Sequence, residues 1–115
     1  MSNTSFKLLN GKLIIDGRPI ILPHIADEAF EWHDLIIVKV DPPAGTIFNR
    51  NVFGITTQGE ILWQIEESPH GTQDDKPYIQ ISIEKGDTLI AANWNGVSYS
   101  VNPSNGKITV SSFNK

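Results

Sequence analysis

Residues 86–110 read GDTLIAANWNGVSYSVNPSNGKITV. The run holds three strand-like segments and two tight turns. TLIAANW is followed by Asn95-Gly96, a pair that readily supplies the two positive φ values of a type I′ hairpin turn. VSYSVN then puts Val97, Tyr99 and Val101 on one face and Ser98 and Ser100 on the other. PSNG turns the chain again, into KITVSS. Upstream, YIQISIE alternates strictly, with Ile79, Ile81 and Ile83 sharing a face. Residues 78–112 are therefore expected to form a four-strand antiparallel meander, ending in a frayed FNK tail.

The same phrase occurs earlier as NRNVFGITTQGEILWQI. Gly11, Gly59 and Gly106 each precede a similar strand: GKLII, GEILW and GKITV. The intervals are 48 and 47 residues, within the span of about 40–50 typical of propeller blades. With one residue gapped in the turn, Phe53 and Ile55 align with Tyr99 and Val101, and further back HDLIIVK aligns with GDTLIAA. Trp32, Trp63 and Trp94 also recur at 31-residue steps, but their contexts differ and that spacing is coincidence.

These residues carry a resemblance. Gly86, Asp87, Leu89, Asn95, Gly96, Tyr99, Val101, Asn102, Gly106, Lys107 and Ile108 are similar to the repeat of quinoprotein-type β-propeller blades. The earlier copy keeps Asp34, Phe53, Ile55, Gly59, Ile61 and the terminal Trp63, and departs by inserting DPPAGTIFN. The resemblance implies blade-like sheets and carries over no functional residue. Two blades cannot close a ring. The expected fold is mainly β: an antiparallel meander of two four-strand blade-like sheets packed together, units about 12–66 and 78–112, in one domain over 1–115.

Outside the repeat, SFKLL, KLIID and RPIIL are joined by Asn10-Gly11 and Asp16-Gly17, so residues 5–22 read as a three-strand meander. PHIADEAFEWHD is the one candidate helix. Its apolar residues recur at spacings of three and four, and Asp27 and Glu28 suit a helix N-terminus. One short helix is expected near 25–33. DLIIVKVD reads as a central strand, apolar on both faces. The insertions 23–34, 41–51 and 66–77 are where function is expected.

The chain has 115 residues, a net charge of −4 and no cysteine. An acidic chain with only two arginines is a poor match for nucleic acid or an anionic membrane surface. The absence of cysteine removes disulfides, thiolate zinc sites and cysteine nucleophiles. No apolar run reaches membrane-span length, and the start lacks a signal-peptide apolar region, so a soluble cytoplasmic protein is expected.

Catalytic motifs are missing, so no enzyme activity, catalytic residue or cofactor is assigned. His24, Asp27, Glu28, Glu31, His33 and Asp34 are dense in ionisable groups but lack a tight metal-ligand spacing; a solvated face accounts for them. Glu67, His70, Asp74 and Asp75 read as an acidic loop without the oxygen spacing of a calcium site. Arg50 between Asn49 and Asn51 suits a carboxylate clamp or a loop brace. Trp63 alternates with Ile61 and Ile65 and belongs to the core. Trp32 beside His33, and Trp94 at a turn, suit a contact surface.

The expected function is a small soluble non-enzymatic protein-interaction module, neutralising a basic toxin or pairing with itself. Its candidate binding residues are Trp32, His33, Asn49, Arg50 and Trp94, and its partner is a protein or a second copy. The alternative is a small-ligand or metal-binding domain using the same insertions.

Overall fold

The structure, a computed structural model, describes residues 5–113. Residues 1–4, the first part of the start read for a signal peptide, and the last two residues of the FNK tail lie outside it. The described chain is built from strands, with no helix. The strands β1 (Phe6–Leu9), β2 (Lys12–Ile15) and β3 (Arg18–Ile20) form a three-stranded sheet. A four-stranded sheet follows from β4 (Ile25–Trp32), β5 (Leu35–Asp41), β6 (Val52–Thr56) and β7 (Ile61–Gln64). A second contains β8 (Tyr78–Glu84), β9 (Thr88–Asn93), β10 (Val97–Val101) and β11 (Ile108–Phe113). Consecutive strands pair antiparallel within each sheet.

Two apolar clusters define three layers. One joins β4–β7 to β8–β11 through Trp32, Leu35, Ile37, Trp63, Tyr78 and Tyr99, among others. The other joins the opposite face of β4–β7 to β1–β3 through Leu13, Ile15, Ile36, Val38, Phe53 and Ile55. Sheet β4–β7 is therefore the middle layer. The run LIIVKV in β5 follows from that position: successive side chains alternate between two cores, so none can be polar without a partner. Lys39 is the exception, buried with its ammonium 2.8 Å from Asp27 Oδ2. Its aliphatic stem lies along the core while Asp27 meets the charge.

The two four-stranded layers are locked at their edges. Glu28 of β4 accepts a hydrogen bond from the Ile81 N–H of β8, at 3.2 Å. Glu66, two residues beyond β7, accepts one from the Ile108 N–H of β11, at 2.9 Å. Each edge of the middle sheet thus satisfies an edge donor of its neighbour. Trp63 wedges between layers. A Cβ built on Gly54 would lie 2.3 Å from its ring, and one on Gly106 2.7 Å away. Its indole N–H donates to the Pro103 carbonyl at 2.8 Å. Glycine at both positions makes room for this ring.

Several expectations need correction. The packed arrangement has three sheets rather than two, because the 5–22 meander forms a layer of its own and covers β4–β7. No helix forms near 25–33. Those residues are β4, which ends in a two-residue turn at His33 and Asp34, with φ of 51° and 62°. Trp32 pairs with Leu35 across that turn. Ile25, Ala29 and Trp32, whose spacing suggests a helix, share no face: Ile25 is exposed, Ala29 packs toward β1–β3 and Trp32 lies in the other core. The strand also holds a β-bulge: Ala26 opposes Val40, Glu28 opposes Lys39, and Asp27 is the extra residue. The bulge puts Ala26 and Ala29, three apart, against the same core. Two further bulges move expected core residues outward. Ile79 is the unopposed residue of β8 and is exposed. Leu62 is unopposed in β7, which turns Ile61 away from the face of Trp63. Ile83, near the end of β8, is also exposed.

Candidate functional site

Two of the three insertions meet at one end of the N-terminal sheet. After β3 the chain runs IILPH into β4, and its alternation separates neighbours. Ile20 and Leu22 pack on the cover cluster, while Ile21 is 92 % exposed. Pro42 and Pro43 follow β5 directly, where missing N–H groups stop pairing. The loop closes through a 3.0 Å bond from the Thr46 N–H to the Pro43 carbonyl, with Gly45 at φ 87°. The turn Asn10-Gly11 docks between them. Gly11 accepts a hydrogen bond from the Ala26 N–H at 2.9 Å, and its bare Cα is what admits Ile25, whose Cγ2 would lie 2.5 Å from a Cβ there.

The result is a groove of roughly 930 Å³, walled by Leu13, Ile20, Leu22, Pro23, Pro42 and Pro43. Ile21 and Ile25 stand at it with large exposed surfaces. Leu9, on the adjoining strand β1, is also exposed. Lys12, His24 and Asp41 are the titratable groups along it. The His24 ring lies edge-on to Phe48, with centroids 4.6 Å apart, and Phe48 packs on the cover cluster. An isolated exposed isoleucine needs no explanation, but a cluster lining a concave apolar surface makes this groove the candidate site.

None of the five sequence-derived binding residues lines this groove. Trp32 is buried in the interlayer core, and its indole N–H donates to Asp87 Oδ1 at 2.9 Å. His33 Nε2 meets Asp87 Oδ2, so these two residues converge on one carboxylate from the β8–β9 turn. That carboxyl is held below the ordinary aspartate range, first by the Trp32 hydrogen bond and then by His33. Asn49 holds the 66–77 loop: its amide donates to the Asp74 carbonyl at 2.7 Å and its oxygen accepts the Lys76 N–H at 2.8 Å. Arg50 donates to the backbone carbonyls of Ile65 and Gln64, at 2.8 and 3.3 Å, and so braces the chain leaving β7. Trp94 is half-exposed just past β9, and its backbone N–H donates to the Pro77 carbonyl at 3.0 Å.

The 66–77 insertion is anchored rather than open. Buried Ser68 meets the Tyr99 hydroxyl, which also lies 2.8 Å from His70 Nδ1. Asn95 donates to Ser68 Oγ and to the His70 carbonyl, at 2.8 and 3.0 Å. Tyr78 donates to the Glu66 carbonyl at 2.7 Å. Burial, then the neighbouring Tyr99, pushes its phenol above the ordinary tyrosine range. Buried Asn51 ties the layers together: its amide donates to the Val40 and Tyr78 carbonyls and its oxygen accepts the Tyr78 N–H. Among the described residues no group of three or more histidines and carboxylates could hold a metal ion. No helix there is long and apolar enough to cross a membrane.

Sequence reasoning missed Ile21, Ile25, Pro42 and Pro43. A signal was present. In RPIILPHI, three consecutive apolar residues between two prolines cannot all face one core.

The molecule is thus a small three-layer antiparallel β domain with an apolar groove at its N-terminal sheet. Residues 1–113 match the family described as a domain of unknown function (DUF7957), and the chain belongs to that family. Neither curated proteins nor solved structures give a match.

Proposed function

We infer that the protein is a non-enzymatic protein-interaction module whose contact surface is the groove beside the N-terminal sheet. The observation that carries this reading is the cluster of Ile21 and Ile25 on a concave wall of aliphatic and proline side chains. Keeping such side chains in water forgoes about 1.5–3 kcal/mol each of burial free energy, and a partner that covers them recovers part of it. The polar network around Ser68, His70 and Tyr99 is internally satisfied, which favours a holding role for that region over chemistry.

The test compares the wild-type chain with the double variant Ile21→Asp/Ile25→Asp. Ile21 is 92 % exposed, so Ile21→Asp alone is expected to keep the wild-type thermal midpoint. Ile25 is the cross-strand partner of Asp41, so the double variant is expected to lose a little stability through two facing carboxylates and is compared well below its own midpoint. A partner bound to the wild type at fixed stoichiometry, and re-formed from purified components, should lose at least about tenfold in affinity, a loss of about 1.4 kcal/mol. Equal retention by both proteins, or a wild-type chain that stays monomeric and retains nothing, overturns the reading.

A further inference from the structure

We propose that the groove takes an extended partner segment in which apolar side chains are flanked by carboxylates. This rests on the reading of the groove as a contact surface and adds the chemistry of its occupant.

The N-terminal sheet differs in charge from the rest of the chain. Residues 5–22 contain three cations, Lys7, Lys12 and Arg18, against one carboxylate, Asp16. The remainder carries six cations and twelve carboxylates. The N-terminal sheet is therefore a basic layer on an acidic protein, and all three of its cations are exposed. Asp16 is already engaged, accepting the Ser5 N–H at 3.0 Å. Lys12 lines the groove, and its ammonium makes no hydrogen bond or ion pair among the described residues. An acidic segment meets complementary charge there, which raises its association rate and disfavours basic competitors.

Shape and edge chemistry narrow the mode of binding. The groove's volume suits several side chains of one segment. Strand addition is blunted, because the sheet ends in β3 and Pro19 at its centre has no N–H to donate. Recognition therefore falls to side chains entering the aliphatic wall. Asp41 is the one carboxylate lining the groove. It directs partner carboxylates toward Lys12 and so sets the direction of the bound segment. Arg18, the cross-strand partner of buried Ile15, donates to the Gln58 carbonyl at 3.3 Å, so Lys7 and Lys12 are the cations on the outer face. A second copy fits poorly, since a two-fold contact through that face would bring both lysines of each chain together.

The probe is a fluorescein-labelled peptide of about ten residues, enough to span some 30 Å when extended, alternating leucine and glutamate around a central proline that blocks self-pairing. Matched peptides carry lysine or serine in place of glutamate. Anisotropy titrations are run at about 20 and about 200 mM salt, where screening differs. The glutamate peptide is expected to bind at least about tenfold tighter than the lysine peptide, with the gap narrowing at high salt. Lys12→Glu, at an exposed position, should reverse the preference. Serine or lysine peptides binding as tightly, with Ile21→Asp still abolishing binding, would overturn the acidic occupant and leave the groove standing. No binding by any peptide, or binding unchanged in Ile21→Asp, would overturn both.

Discussion

Sheets β4–β7 and β8–β11 have the same topology and four strands each, yet they occupy opposite environments. The first is buried on both faces, by β8–β11 on one side and β1–β3 on the other. The second is buried on one. Its outer face carries Gln80, Ser82, Thr88, Ser98 and Ser111 around Ile90 and Ala92. A polar outer face ends a stack, as capping layers do in repeat proteins. At the other end of the molecule the N-terminal sheet also terminates the stack, but it leaves Leu9, Lys7 and Lys12 exposed, with Ile21 exposed just beyond β3. Equal strand plans thus yield different surfaces.

The largest effect expected from this contrast lies in the middle layer. Ile36→Ala and Ile37→Ala strip one core each and should cost about 3–4 kcal/mol apiece in urea denaturation, whereas Ile90→Ala on the outer face of β9 should cost less than about 1. A small cost at Ile36 would mean that β1–β3 does not seal that face. Next in size is the wedge between the layers. Gly54→Ala drives a methyl into Trp63 and should destabilise by about 3 kcal/mol. Gly45→Ala meets no atom within 4 Å and should cost about 1 kcal/mol, from its positive φ alone. Thermal midpoints of the two variants measure the difference.

Asn51→Ala is expected to cost about 2 kcal/mol by leaving Val40 and Tyr78 backbone groups buried without a partner. Hydrogen exchange should accelerate at the Tyr78 amide before it does so in β5. The smallest effect concerns Asp87, at the turn where the layers meet. Its carboxyl is lowered in the folded state, so the folded chain is favoured above the ordinary aspartate range. That contribution is lost as pH falls through the lowered value. The difference in thermal midpoint between wild type and Asp87→Asn should therefore shrink as pH falls below the ordinary aspartate value of about 4. A constant difference below that value would show that the charge on Asp87 plays no part.

Most strands, and the three N-terminal ones as a unit, were legible because Asn-Gly and Asp-Gly turns punctuate them. The turn at His33-Asp34 was not, since neither residue is glycine and a run such as ADEAFEW has good helical propensity. Bulges at Asp27, Leu62 and Ile79 were hidden as well. A bulge shifts alternation by one residue, and only the opposing strand reveals it. The groove was harder still. Its walls come from residues near 10, 20 and 42, and their meeting depends on β1–β3 folding back over β4. Trp32 and Arg50 drew notice by residue type, but Trp32 packs in the core and Arg50 braces the backbone.

The central claim is that contact is made at the groove and not on the polar face. Photocrosslinking in the native host tests it with p-benzoylphenylalanine replacing Ile21 in one chain and Ser82 in another. The account predicts a discrete adduct from position 21 that disappears when Ile25→Asp is added, and none from position 82. Adducts from position 82 alone, or equal adducts from both positions, would contradict it.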